Sequence, residues 1–528
     1  MKMTSESINL TPRAKRITDS ILFVVCALNV LVFVFAAIQM NAIGFPLDDS
    51  WIHQTYARNL GLYGEWAFIR GETSAASTAP LYSALLAIGH AIGLSPYVWA
   101  HTLGILSLFA AAAVSVRLAR RLFPTTPFIG LGTGLIIATS WHLVWAAASG
   151  METMQFMALS LAIIAYTWHE IDPLKHPHQP QRLFGRGAWV GFLGALLYLT
   201  RPEGIGLVGL AGLLVLLSGA HSTRKSYLWW ASGVVIGFMM IVIPFSALNY
   251  ALTGRILPTT AQAKIAEQAA LREEFIGIRY FKLLLTISAG AQFLWYPMII
   301  IGIWLVWRRF DSSKRWLLML PLVWAFAHLT LYAWRLPAPY QHGRYVMPIL
   351  PPLFLFGYGG MYYMVDVAKE RMLPRVFSRV LALSAILAIF GFLYIGATTG
   401  YGRDVRIINT EMVKTAKWIS ENLPDDELLA VHDIGAVGYY APRPILDLAG
   451  LITPEIVPII LDPEALMEFI CERDAQWMMV FPEQRPAPAD DPRLEEVYRT
   501  NEPYTLEAGR AGNMTVYRLH FDENCQAP

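Results

Sequence analysis

Residues 13–60 read RAKRITDSILFVVCALNVLVFVFAAIQMNAIGFPLDDSWIHQTYARNL. Three cations, Arg13, Lys15 and Arg16, precede an apolar run from about Ser20 to Met40, and a carboxylate pair, Asp48-Asp49, follows it. A hydrocarbon core of about 30 Å needs roughly 20 helical residues, and the run supplies them. It exceeds the apolar core of about 7 to 15 residues of a cleavable signal, so it reads as a retained anchor. The basic flank places the amino terminus in the cytoplasm and residue 41 onward outside. Lipid packing rewards neither aspartate, which makes the pair a candidate for chemistry at a membrane surface.

The rest of the chain has the same character. Of its 528 residues 55% are hydrophobic and only 15% charged, which predicts a polytopic α-helical membrane protein. A formal charge of +2 is too small to suggest a nucleic-acid partner, so none is expected, and the lipid bilayer is the expected surrounding. Basic residues mark cytoplasmic ends at Arg117, Arg120 and Arg121, Arg182 and Arg186, Arg224 and Lys225, Arg308 and Arg309, and Lys369, Arg371 and Arg375. They predict about 11 transmembrane helices, near residues 20–40, 97–117, 128–147, 151–168, 187–200, 204–219, 227–249, 281–307, 316–334, 345–366 and 380–399. The short apolar segment 80–94 is expected to lie at the outer surface, giving a first external loop of residues 41–96. An odd count puts the carboxyl terminus outside.

Composition shifts near residue 400, where charges and prolines become frequent. The expected organisation is therefore a membrane domain over 1–399 and a soluble extracytoplasmic α/β domain over 400–528. In the latter, helices are expected at 409–422 and 463–472, and strands at 427–432, 475–481 and 513–519. Whether Cys471 and Cys525 pair is left open by the sequence.

On this topology the unusual polar residues converge on the external side: Asp48, Asp49 and Glu72 in the first loop, Glu152, Arg201 with Glu203, Lys264, and His342 with Arg344. Acids beside cations at the outer leaflet suit a lipid phosphate, with a carboxylate to deprotonate an incoming hydroxyl. Breaking a sugar phosphodiester at the glycosidic bond puts a second negative charge on the phosphate, which fixed cations or a metal must meet. Blander readings stand beside these. An aspartate after Pro46 is a favoured N-cap, Glu152 suits a helix N-terminus, Arg201 and Glu203 can simply pair, and Lys264, Arg335 and Arg344 can snorkel to headgroups. His90, His142 and His328 lie in apolar runs and read as packing histidines, and Trp141, Trp145 and Trp334 as an aromatic belt. His432-Asp433, followed by Gly435 and Gly438, reads as a strand-to-turn junction, with a phosphate cradle as the other reading.

Several segments carry a family resemblance. Asp48-Asp-Ser-Trp51 with Tyr56-Ala-Arg-Asn-Leu60, Gly71-Glu72, Ser77-Thr-Ala-Pro-Leu-Tyr82, Ser149-Gly-Met-Glu-Thr153, Leu199-Thr-Arg-Pro-Glu-Gly204, Asn249-Tyr250 with Gly254-Arg-Ile-Leu-Pro258, and His342-Gly-Arg-Tyr345 resemble, in order, the motifs of GT-C glycosyltransferases. The arabinosyl- and mannosyltransferase-like bacterial branch is the nearest in look. The resemblance implies an inverting enzyme of the bacterial inner membrane that moves a sugar from a polyprenyl-phosphate donor to a glycan, lipid or protein acceptor on the periplasmic face. It implies Asp48 as base, Asp49 as its partner or a metal ligand, and Glu152 near acceptor or metal. Arg201, His342 and Arg344 are implied near the carrier phosphate; Glu203, Lys264 and Glu72 complete the expected substrate-binding group. A divalent cation, Mg or Mn, is the one cofactor the resemblance admits. At Ser77-Thr-Ala-Pro80 the chain departs from the aminoarabinose-transferase branch, which has an acid and a base before the proline. A flippase of a lipid-linked saccharide is the rival class, but the sequence shows no internal repeat of the kind transporters carry.

Overall fold

The computed structural model describes residues 11–74, 77–171, 180–219, 223–254, 256, 260–509, 511–522 and 525. Arg255, Leu257 and Pro258 of the sixth motif lie outside these. The anchor is helix Pro12–Gln39, started by Thr11, whose Oγ1 accepts the Ala14 N–H at 3.2 Å. Among the described residues, five helices are long and apolar enough to cross a membrane: Pro12–Gln39, Pro96–Leu122, Pro180–Thr200, Arg224–Leu252 and Met372–Asn422. Ile129–Thr139 and Trp141–Ala148, bent by 57°, make a sixth if taken as one span.

The other expected crossings are shorter or broken. Residues 151–168 and 204–219 yield Thr153–Thr167 and Ile205–Leu217. The segment 281–307, expected as one crossing, is instead two helices, Ile276–Ser288 and Tyr296–Arg309, with a tight turn Ala291–Leu294 between them. Pro297 explains the break, because a proline without an N–H starts a helix readily but cannot continue one. Pro321 divides 316–334 in the same way, into Ser312–Leu318 and Leu320–Arg335.

Helices Pro180–Thr200 and Arg224–Thr253 meet through reciprocal glycine pairs. A Cβ on Gly187 or Gly191 would lie 2.0 Å from the carbonyl of Trp230 or Val234, and one on Gly233 or Gly237 2.1 and 2.2 Å from those of Phe184 and Ala188. Backbones this close are the small-residue packing that membrane helices use, since lipid gives them no hydrophobic drive to associate.

The helices expected at 380–399 and 409–422 are joined. Met372–Asn422 is continuous over 51 residues, with π-helical turns at Gly396–Gly402 and Asn409–Val413. Past it lies a five-stranded sheet. With the first-loop ribbon Ala67–Ile69 (β1) and Glu72–Thr73 (β2) counted first, its strands are Leu429–Val431 (β3), Ile445–Asp447 (β4), Trp477–Val480 (β5), Leu494–Arg499 (β6) and Thr515–Leu519 (β7), in the order β4-β3-β5-β7-β6. β3 runs parallel to β4 and β5, while β7 is antiparallel to β5 and β6. A Cys471–Cys525 disulfide ties helix Pro463–Glu472 to the chain beyond β7.

This sheet unit does not stand apart from the first loop. Phe45, Trp51, Tyr56 and Phe68 share one apolar core with Met412, Val431, Ile434, Val437 and Phe481. Helix Asp49–Tyr63 of the loop lies against the short helix Ile434–Tyr440, where Arg58 donates to the carbonyls of Tyr439 at 2.6 Å and Gly438 at 3.2 Å. A cation on the carboxyl end of a helix opposes its dipole favourably.

Candidate active site

A cavity of about 640 Å³ opens where the first loop, residues 264–268, residues 339–345, the long helix near Asp404 and the sheet unit meet. Its walls include Asp48, Asp49, Lys264, His342, Arg344 and Tyr345. Six residues drawn from segments as far apart as 48 and 345 thus share one space.

Asp48 and Asp49, adjacent in sequence, are treated differently. Asp49 Oδ2 accepts from Lys264 Nζ at 3.0 Å and from the Arg344 guanidinium. Burial works against its charge, but the two cations outweigh burial and hold its carboxyl far below the usual range. Burial likewise opposes the Lys264 charge, and Asp49 reverses the balance, keeping the ammonium protonated. Lys264 is therefore no headgroup anchor. Arg344 also donates to Tyr345 Oη at 2.9 Å, while its Nε and Nη1 are buried without a hydrogen-bond partner. Unpaired buried guanidinium donors are costly, and an anion would satisfy them.

Asp48 turns instead toward the sheet unit. Its two oxygens accept the backbone N–H groups of Gly435 at 2.7 Å and Ala436 at 2.8 Å, the first turn of helix Ile434–Tyr440. Burial, and then the neighbouring carboxylate of Asp433, push its pKa up to about 8 against the pull of these N–H groups. It does not cap its own helix by its side chain, as the bland reading had it; it caps another helix, 387 residues away.

His342 forms a third corner. Its Nε2 lies 2.8 Å from Asp404 Oδ2, which also accepts Trp145 Nε1–H at 3.0 Å. Gln341, His342 and Gly343 all have φ between 54° and 72°, a run that only the glycine adopts freely. Trp141 and Trp145 flank the imidazole, with ring centroids 5.2 Å away. Read from sequence as belt residues, they are buried and face inward, because the bent helix pair carries them into the protein rather than to its rim.

Glu152 and Arg201 are buried behind the cavity wall, with the partly exposed Glu203 beside them, its Oε1 3.9 Å from Arg201 Nη1. Arg201 Nε donates to Glu152 Oε1 at 2.7 Å and Nη2 to Thr153 Oγ1 at 3.3 Å, and His53 Nε2 is 3.5 Å from Glu152 Oε2. Tyr332 donates to Glu203. The Tyr345 ring links the two groups, with the Arg201 guanidinium 5.4 Å and the Arg344 guanidinium 4.8 Å from its centre. Glu72 is not brought to the site. It is exposed on β2 and lines no part of the cavity, because Gly71 makes the turn of the ribbon and leaves Glu72 outward.

His90, His142 and His328 are packing residues, hydrogen-bonded to Gln54 at 2.9 Å, Gln292 at 3.2 Å and the Tyr345 carbonyl at 2.8 Å. The sequence did not single out Asp404, Glu267 or Gln484, and read His432-Asp433 as a junction or a phosphate cradle; all line the cavity. Each comes from outside the motif series, and polar residues beside a turn carry no local signal of a distant site.

The two residues expected to hold a divalent cation do not fit one. Asp49 is engaged by Lys264 and Arg344, and Glu152 by Arg201 and His53, in separate networks. Among the described residues no group of three or more His, Cys, Asp or Glu side chains is arranged to ligate a metal.

The fold is a GT-C fold. The chain is similar to ArnT from Cupriavidus metallidurans bound to undecaprenyl phosphate, with 16% identity over 96% of this chain and 99% of that one, at a TM-score of 0.60. It is similar to the Archaeoglobus fulgidus oligosaccharyltransferase tethered to an acceptor peptide, with 13% identity over 88% and 69% of the two chains and a TM-score of 0.58. The mycobacterial arabinofuranosyltransferase AftD matches at 14% identity over 98% of this chain and 42% of its own, with a TM-score of 0.53. Residues 403–517 match a domain of unknown function, DUF8728. No curated protein matches the chain.

Proposed function

We propose that the protein is an integral-membrane glycosyltransferase that moves a sugar from a polyprenyl-phosphate donor to an acceptor hydroxyl, with inversion. The observation that carries this reading is the meeting of Lys264 and Arg344 at Asp49, beside Asp48, in one cavity. Two cations and one carboxylate leave a net charge of about +1, which a phosphodiester neutralises. As the glycosidic C–O bond breaks, the departing phosphate takes its electron pair, and Lys264 and Arg344 are the cations that would meet the added charge. A phosphate is a good leaving group, so a carboxylate that takes the acceptor proton completes the minimum machinery, and Asp48 is that carboxylate.

ArnT was seen with undecaprenyl phosphate and the archaeal oligosaccharyltransferase with an acceptor peptide; the shared fold extends a polyprenyl carrier and a hydroxyl- or amide-bearing acceptor to this chain by analogy. The reading places the protein in a bacterial inner membrane with the cavity on the periplasmic side, consistent with the basic ends of the helices. No step is assigned to a metal: Lys264 and Arg344 would supply the positive charge that a bound phosphate needs. Mass spectrometry of lipid that copurifies with the protein tests the donor class. A polyprenyl-phosphate sugar is expected; a diphosphate-linked oligosaccharide, with no transfer on reconstitution, points to the flippase class instead.

A further inference from the structure

The junction His432-Asp433 sits on the cavity wall opposite the membrane helices, at the end of β3 and the start of helix Ile434–Tyr440. The Gln484 amide is oriented by the Phe481 N–H, which donates to Oε1 at 3.0 Å; its Nε2 then donates to Asp433 Oδ2 at 3.0 Å and to His432 Nδ1 at 2.8 Å. His432 Nδ1 also lies 3.5 Å from Asp433 Oδ1, and its Nε2 faces Glu267 at 3.9 Å. The same short helix is locked onto the first loop at both ends, by Asp48 at its amino end and Arg58 at its carboxyl end.

Gly435 makes that lock possible. A Cβ there would lie 2.1 Å from the Asp48 carbonyl oxygen and 2.7 Å from Oδ2. Its backbone φ asks for no glycine, so the requirement is the close approach alone. Asp48 and Asp433 are consequently neighbours in space, although one belongs to the first loop and the other to the sheet unit. Asp49 is the other carboxylate facing Asp48, and its charge is already matched by Lys264 and Arg344.

Resting on the glycosyl-transfer reading, we propose that Asp433 is a catalytic residue contributed by the carboxy-terminal unit, binding the acceptor hydroxyl together with Asp48 so that the pair takes its proton. In that step the acceptor oxygen bonds to the anomeric carbon, the carbon–phosphate-oxygen bond breaks with its electrons leaving on phosphate, and the hydroxyl proton ends on the Asp48–Asp433 pair. Gln484 is a positioning residue that holds the Asp433 carboxylate. The acceptor side of the site is thus built by the unit that matches DUF8728, and the donor side by the membrane helices and their loops.

The test uses full-length protein in nanodiscs, with undecaprenyl phosphate as the binding probe, radiolabelled undecaprenyl-phosphate mannose, arabinose, glucose and aminoarabinose as donor probes, and octyl glycosides and a bacterial envelope glycolipid extract as acceptor-hydroxyl probes. Asp433→Asn is expected to lower kcat by about a hundredfold or more while leaving the undecaprenyl phosphate Kd within about twofold, and Asp433→Glu to recover part of the rate. Gln484→Leu is expected to lower kcat about tenfold at unchanged carrier affinity. A thermal melt on each variant separates folding from chemistry. Full kcat in Asp433→Asn, or loss of carrier binding in step with kcat, overturns the proposal and leaves the transferase reading in place. Absence of turnover by the wild-type protein with every donor overturns that reading and the proposal with it.

Discussion

Replacing Asp49 by asparagine should tighten binding of the carrier phosphate, and this separates fixed-cation binding from metal binding. In the native cavity Lys264 and Arg344 share one carboxylate, with Lys264 Nζ 3.0 Å from Asp49 Oδ2. A phosphate on the far side of the two cations would lie about 6 Å from Asp49. At an effective dielectric of about 20 its repulsion by that carboxylate is roughly 2.8 kcal/mol, and the partial exposure of Asp49 reduces this to about half. Asp49→Asn should therefore bind undecaprenyl phosphate about tenfold more tightly. Lys264→Met should bind it about tenfold more weakly, and the double variant, restored to one net positive charge, should return close to the wild-type Kd. Titration by microscale thermophoresis in nanodiscs, at one fixed ionic strength, reads all four. If Asp49→Asn weakens binding, the carboxylate supports the phosphate through a bridging cation and the charge argument is wrong.

Four further outcomes follow from the structure. Because the Asp48 pKa is raised to about 8, the basic form grows as pH rises, so transfer should increase over about pH 6 to 8 and level off above; a profile flat over this range contradicts Asp48 as base. The same shift means the folded state holds a proton that the unfolded state releases. The Asp48 contribution to stability is therefore largest below about pH 4 and declines between about pH 4 and 8, and Asp48→Asn should flatten that part of a melting-temperature series. Glu152→Gln leaves the Arg201 charge buried with its main partner removed and should destabilise by about 3–5 kcal/mol in a detergent-matched thermal melt; a loss within about 0.5 kcal/mol means that the pair is not structural. Glu72→Ala should change neither the melt nor the transfer rate, since its side chain is exposed and away from the cavity, and a lost rate would reinstate it as a substrate contact.

What could be read from the sequence is what depends on local pattern. The anchor Pro12–Gln39 follows from hydropathy and flanking charge, and Asp48, Asp49, Lys264, His342 and Arg344 reach one cavity from segments whose polar residues had no reason to sit beside apolar runs. Breaks inside apolar runs were less legible: hydropathy is continuous across 281–307, and only Pro297 and Gly290 mark the turn there. Trp141 was assigned to a belt for the same reason, since composition does not say toward which side a bent helix turns. The contact of Asp48 with Gly435 and Ala436 was not legible at all, because a hydrogen bond across 387 residues leaves no mark in either segment. Gly435 and Gly438 did look like turn glycines, yet their reason is the approach of Asp48 and of the Phe68 ring.

The most direct measurement is a cryo-EM structure of the protein in nanodiscs with undecaprenyl phosphate. The account predicts density for the phosphate within hydrogen-bonding distance of Lys264 Nζ and the Arg344 guanidinium, with Asp48 and Asp433 together across the cavity from it. A phosphate seated elsewhere, or a metal ion bridging it to Asp49, contradicts the account.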